Sequence, residues 1–148
     1  MVAFCAEEVE FLLVGAFALA ANGAPRHTGD LRVWVRPDPA NAERVIRALD
    51  RFGAPLAAHG VVVDDFSRVG NVYQMGVPPV RIDVLTQISG VTFEQTWPGR
   101  IEAVLGGLRL PFLGLRELVR NKRASGRVKD LQDIELLREA GVTVDEVG

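Results

Sequence analysis

A single cysteine, Cys5, in 148 residues leaves nothing for an intramolecular disulfide. That excludes the disulfide-stapled secreted scaffolds and fits a reducing compartment, so the cytoplasm is the expected location. Histidine is almost as scarce: His27 and His59 stand alone, with no second His or Cys at metal-ligand spacing, and neither is assigned a role. Aromatic residues make up 7% of the chain and form no row on which nucleic-acid bases would stack. Neither sign of charge dominates, since 17 basic and 19 acidic residues give a formal net charge of −2. No global positive field advertises a nucleic-acid partner, and function has to be sought in local sites. The longest apolar run, Phe11 to Ala21, is interrupted by Gly15, is too short to cross a bilayer and has no basic leader before it, so no membrane partner is expected. Internal repeats and low-complexity stretches are absent.

What is present fits one globular α/β domain of the α+β type: a mixed β-sheet with covering helices and a helical C-terminus. At 48% hydrophobic and 24% charged, the chain is large enough for one substantial core. Residues 1–112 are expected to hold the sheet-containing core and 113–148 the C-terminal helices. Val2 to Glu8 reads as one or two turns of helix. Phe11 to Val14 reads as a short buried strand, Gly15 as a tight turn, and the alanine-rich Ala16 to Asn22 as a helix stopped by Gly23 and Pro25. Leu31 to Val35 alternates and ends at Pro37, which predicts a strand. Pro39 to Phe52, capped by Asp38, repeats Ala42, Val45, Ile46 and Leu49 at helical spacing. Asn71 to Met75 and Val80 to Leu85 are strands whose short connection makes them antiparallel neighbours. Ile101 to Leu105 and Leu108 to Pro111, joined by Gly106-Gly107, form a hairpin with a primed turn. Leu115 to Ala124 and Lys129 to Ala140 are the closing helices.

The chemistry is concentrated in Phe11 to Asp38, FLLVGAFALAANGAPRHTGDLRVWVRPD. A strand, a glycine turn and a short helix lead through Arg26-x-Thr28-x-Asp30 into a strand that opens on an acid. This stretch resembles the nucleotidyltransferase pattern of the polymerase-β superfamily, in which a glycine turn is followed, after a short helix, by Asp-x-Asp on the next strand. Val77 to Leu85, VPPVRIDVL, resembles the neighbouring segment that brings a third carboxylate. Residues i and i+2 of a strand share a face, so such a pattern sets carboxylates side by side in an oxygen cage suited to Mg²⁺ or Mn²⁺. Two such ions activate an attacking hydroxyl and stabilise the leaving pyrophosphate. The resemblance implies Asp30 and Asp83 as catalytic residues and metal ligands, and Gly15 and Ala16 as the turn that offers backbone N–H groups to a triphosphate. Where the pattern has its second carboxylate, this chain has Arg32. A guanidinium there either bridges Asp30 and Asp83 as a fixed cation or binds a phosphate directly, and in both cases it impairs metal-dependent transfer.

Residues 115–133, with Lys122-Arg123 and Gly126-Arg127-Val128-Lys129-Asp130-Leu131-Gln132-Asp133, resemble the tail of a bacterial subgroup linked to abortive-infection and toxin–antitoxin systems. The resemblance spans nearly the whole chain. Lys122, Arg127 and Lys129 are candidate nucleotide-phosphate contacts. Their alternative is a solvated helix face or pairing with Asp130 and Asp133. Arg26 and Thr28 have a substrate role or merely tie the loop. The implied activity is transfer of a nucleoside monophosphate from a nucleoside triphosphate to a hydroxyl of a protein, an RNA or a small molecule. The alternatives are a non-catalytic nucleotide- or partner-binding protein and a metal-free hydrolase using the same cleft. A homo-oligomer is compatible with each.

Overall fold

The computed structural model describes residues 1–25, 30–77 and 80–144. Six strands form one mixed sheet: β1 (Phe11–Val14), β2 (Asp30–Val35), β3 (Val72–Val77), β4 (Val80–Leu85), β5 (Ile101–Leu105) and β6 (Leu108–Phe112). Their order across the sheet is β3-β4-β2-β1-β6-β5. β1 runs antiparallel to β2 and parallel to β6, β2 runs parallel to β4, and β3–β4 and β5–β6 are antiparallel pairs. β1 is apolar at all four positions because it lies in the middle of the sheet and is buried on both faces.

The two faces carry separate cores. Phe11 and Leu13 point one way, with Val33, Val35 and Val84, against α1 (Val2–Ala6), α3 (Pro39–Phe52) and α4 (Asp64–Ser67). Leu12 and Val14 point the other way, with Trp34 and Leu85, against α2 (Ala16–Ala21), α5 (Phe93–Thr96), α6 (Leu115–Ser125) and α7 (Val128–Glu139). A 3₁₀ turn, Trp97–Gly99, follows α5. This alternation fixes which residues reach the second face: Asp30 and Arg32 share the parity of Trp34, and Arg81 and Asp83 that of Leu85. None of the helices among the described residues is long and apolar enough to cross a membrane.

Local chemistry explains the element ends. Asp38 accepts a hydrogen bond from the Asn41 N–H at 3.0 Å and Pro39 starts α3, while Gly53 closes it in the left-handed region at φ 93°. The buried Asn41 side chain then staples two strands: its Oδ1 accepts from the Glu10 N–H at 2.8 Å, and its Nδ2 donates to the Glu10 and Arg36 carbonyls at 3.0 Å each. Gly106 and Gly107 both have positive φ, 59° and 81°, as the primed turn expected between β5 and β6 requires.

The junction of β6 with α6 is the tightest place in this frame. A Cβ added at Gly114 would lie 2.2 Å from the Gly99 carbonyl oxygen, a backbone atom that cannot rotate away. Gly114→Ala should therefore destabilise the protein by about 1–3 kcal/mol through forced backbone displacement, measured as a lower urea midpoint at unchanged slope. An unaltered midpoint would mean that the 3₁₀ turn yields without cost.

Candidate nucleotide-binding cleft

β2 and β4 lie side by side with Asp30 opposite Arg81 and Arg32 opposite Asp83. Because paired positions of neighbouring strands point to the same face, two carboxylates and two guanidiniums form a small square on the second face. The square lies in a cleft of about 370 Å³ whose lining also includes Gly15, Ala16 and Gln74 from the sheet side and Lys122, Arg127 and Lys129 from the helical side. The sheet supplies the floor. α6 and the start of α7 supply the wall.

The cation that bridges the acids is Arg81. Its Nη2 is 3.5 Å from Asp30 Oδ2, and its Nε is 3.3 Å from Asp83 Oδ1. The second contact is one of charge rather than of hydrogen-bond geometry, since neither Arg81 Nε nor Asp83 Oδ1 has a hydrogen-bond partner among the described residues. Asp83 is only 4% exposed, and a carboxylate that deep needs a nearby positive charge. The expectation that Arg32 would bridge these acids is thus corrected: Arg32 shares the face, but Arg81 makes the ion pairs and Arg32 makes none among the described residues. By register each arginine faces one acid and lies two residues from the other, but the Arg32 stem turns toward Gly15 and leaves the acids to Arg81.

Gly15 is the N-cap of α2, with φ 70° and ψ −147°, a conformation that strains any residue with a Cβ. A Cβ there would meet Arg32 Cδ at 3.2 Å. The absent side chain lets the Arg32 stem lie across the turn.

On the helical wall, Lys122 is buried rather than presented to solvent. Its Nζ donates to Asp130 Oδ1 at 3.1 Å and to Asp133 Oδ2 at 2.8 Å. Arg127 Nε contacts Asp130 Oδ2 at 3.1 Å, and the Ser125 hydroxyl donates to the same oxygen. Burial alone would raise the Asp130 pKa, but the hydrogen bonds from Ser125 and Lys122 and the charges of Lys122 and Arg127 outweigh it and hold the carboxyl below its ordinary value. Of the basic tail residues, Lys122 therefore takes the paired alternative, Arg127 is paired but largely exposed, and Lys129 is exposed with no carboxylate within 4 Å among the described residues. Arg26 and Thr28 lie outside the described residues.

Sequence reading missed Arg81, although its position two residues before Asp83 on a strand carried the signal. It also missed a second lobe of about 290 Å³ that shares Gly15, Arg32, Lys122 and Arg127 with the first and is faced by Asn71, Gln87, Ser89 and Asn121. Those residues come from separate segments, and their neutral side chains form no spaced motif.

A divalent metal does not fit the square of residues on β2 and β4. Mg²⁺ demands near-octahedral oxygen ligation. Here both carboxylates already contact Arg81, and the position opposite Asp83 is a second arginine. Among the described residues no three carboxylate, His or Cys side chains gather as a metal-binding group.

No protein-family model matches the sequence, and no curated protein matches it significantly. Solved structures do. A Thermotoga maritima protein described as a nucleotidyltransferase superposes with a TM-score of 0.54 at 14% identity, covering 93% of this chain and 84% of its own. The lincosamide antibiotic adenylyltransferase LnuA, in its lincomycin-bound structure, gives 0.51 at 13% identity, with 93% and 90% covered. An antigenic nucleotidyltransferase-like protein from Paracoccidioides brasiliensis gives 0.50 at 18% identity, with 93% and 69% covered. At such identities the likeness is one of backbone, and together with the six-stranded mixed sheet and its covering helices it shows that this chain has the nucleotidyltransferase fold.

Proposed function

We propose that this chain binds a nucleotide in the cleft between β2, β4 and the start of α7, and that its capacity to transfer a nucleoside monophosphate to a hydroxyl is impaired. The observation that carries the reading is the register of β2 on β4, which sets Arg32 against Asp83 while Arg81 contacts both acids. Binding a polyphosphate needs fixed cations and a backbone turn, both of which line the cleft. Two-metal transfer needs converging carboxylates, and a guanidinium holds the place of one.

Isothermal titration with ATP and a transfer assay with labelled nucleoside triphosphate and Mn²⁺ test this together. The chain should bind ATP and show transfer near background. Gly15→Val should weaken binding by about tenfold or more, since it puts branched carbon against Arg32 Cδ at a strained φ. Strong metal-dependent transfer by the unaltered chain would overturn the impaired reading, and unchanged ATP affinity in a folded Gly15→Val protein would reduce Gly15 to a structural turn.

A further inference from the structure

We infer that the ligand taken by this cleft is a polyphosphate free of divalent metal, gripped by Arg32 and Lys129, with Arg81 acting as the built-in counter-cation of Asp30 and Asp83. The inference rests on the nucleotide-binding reading and names the form in which the nucleotide is bound.

The charges lining the cleft sort into two groups. Five cations, Arg32, Arg81, Lys122, Arg127 and Lys129, face three carboxylates, Asp30, Asp83 and Asp130. Arg81 is engaged by Asp30 and Asp83, Lys122 by Asp130 and by Asp133 just behind the lining, and Arg127 by Asp130. Arg32 and Lys129 are left without a carboxylate within 4 Å among the described residues. With Asp133 counted the surplus is still positive, by one charge, and these two cations stand on different walls: Arg32 on β2 beside the Gly15 turn, Lys129 in the first turn of α7. An anion bound between them completes the charge balance. A dication in the same place adds to the excess.

Arg32 also lines the adjoining lobe faced by Asn71, Gln87 and Asn121, so it stands where the two cavities meet. A phosphate chain on Arg32 would leave the amide-lined side of that lobe, Asn71, Gln87 and Asn121, for the rest of the ligand. The combined space suits a small ligand of nucleotide size.

Metal chelation works against this grip. Mg²⁺ binds the phosphate oxygens that a guanidinium would bridge in bidentate fashion, and it removes about half the negative charge of a nucleoside triphosphate. In most enzymes of phosphoryl chemistry protein carboxylates hold the metal and make the complex the better ligand. Here both acids on the floor are already in contact with a cation of the sheet, Arg81.

Isothermal titration of ATP and of inorganic tripolyphosphate, each in EDTA and in excess Mg²⁺, tests the inference. Both should bind in EDTA, and Mg²⁺ should weaken each by about tenfold or more. Arg32→Ala should lose about tenfold in EDTA, with Arg32→Lys falling between, while the urea midpoint reports that each variant is folded. Tighter ATP binding with Mg²⁺, or binding only with it, overturns the metal-free form and leaves the nucleotide reading standing. Tripolyphosphate binding as tight as ATP keeps the metal-free anion site and removes the nucleotide. An absence of binding by both ligands in EDTA overturns the inference.

Discussion

Lys122→Met should destabilise the protein by about 3–5 kcal/mol at neutral pH, the cost of taking one member out of a buried, hydrogen-bonded charge cluster. The Lys122 side chain is 6% exposed and its two partners, Asp130 and Asp133, are 12% and 1% exposed. Methionine fills nearly the same volume, so the loss is one of charge rather than of packing. Asp130 keeps Arg127 and Ser125, but Asp133 loses its 2.8 Å contact with the ammonium in the dry joint between α6 and α7. The effect depends on pH with a definite sign. Asp130 has a folded pKa below its ordinary 3.8. Its contribution is therefore complete above the unfolded value and disappears as pH falls through the lower folded one. Urea unfolding at pH 7 and at about pH 3 should show a large gap between the native protein and Lys122→Met that narrows in acid. Neutralising the group, as in Lys122→Met with Asp133→Asn, should recover part of the loss. A cost below about 1 kcal/mol, or one that does not change with pH, would mean that the cluster is solvated enough to behave as a surface network.

Most of the sheet was legible because its signals are local. β4, β5 and α3 have the bounds that alternation, the glycine pair and the Asp38-Pro39 start imply, and β1 follows from four apolar residues before a glycine. β2 begins one residue earlier than its apolar run, at Asp30, because the ladder with β4 continues to Arg81. The single-turn helices α4 and α5 went unread. A helix of four residues has no period to detect and exists only through packing, as Phe66 and Phe93 show by being buried. Thr92-x-x-Gln95 was the one available clue, since its side chains form a capping box at α5.

The cleft was half legible for a related reason. Strand parity put Asp30 and Arg32 on one face, and the resemblance to the nucleotidyltransferase pattern added Asp83 to it. Neither parity nor register says which of two arginines bridges the carboxylates, because the pairing sets each arginine opposite one acid and two residues from the other. The bridge falls to Arg81 because the Arg32 stem lies against the Gly15 turn. The burial of Lys122 was hidden for a like cause. Its partners lie on the next helix, and only the turn at Gly126, φ 64°, folds that helix back far enough to enclose it. A charge run in a sequence looks solvated until the element that covers it is known.

Building a metal site in this cleft therefore takes two substitutions, and the comparison between one and two is the sharpest test of the cleft. Arg32→Asp alone adds a third carboxylate opposite Asp83, yet leaves Arg81 in contact with Asp30 and Asp83, so a dication still enters against a resident cation. Its Mn²⁺ affinity should rise little. Arg32→Asp with Arg81→Gln removes both guanidiniums from the square and sets the introduced carboxylate beside Asp30 and Asp83 on one face of two adjacent strands, as hard-oxygen coordination requires. Mn²⁺ affinity, read by titration against the paramagnetic signal of free Mn²⁺, should then increase by about a hundredfold or more over the native chain. Crowding three carboxylates without a cation should lower the melting temperature of the metal-free double variant, and Mn²⁺ should raise it again in proportion to occupancy. Labelled nucleoside triphosphate should be consumed in the presence of Mn²⁺ by the double variant well above the native background. If Arg32→Asp by itself gave the full gain in Mn²⁺ affinity, Arg81 would be a bystander that swings aside without cost. If the double variant bound Mn²⁺ no better than the native chain, the carboxylates would not converge, and the charge square on β2 and β4 would have a structural role only.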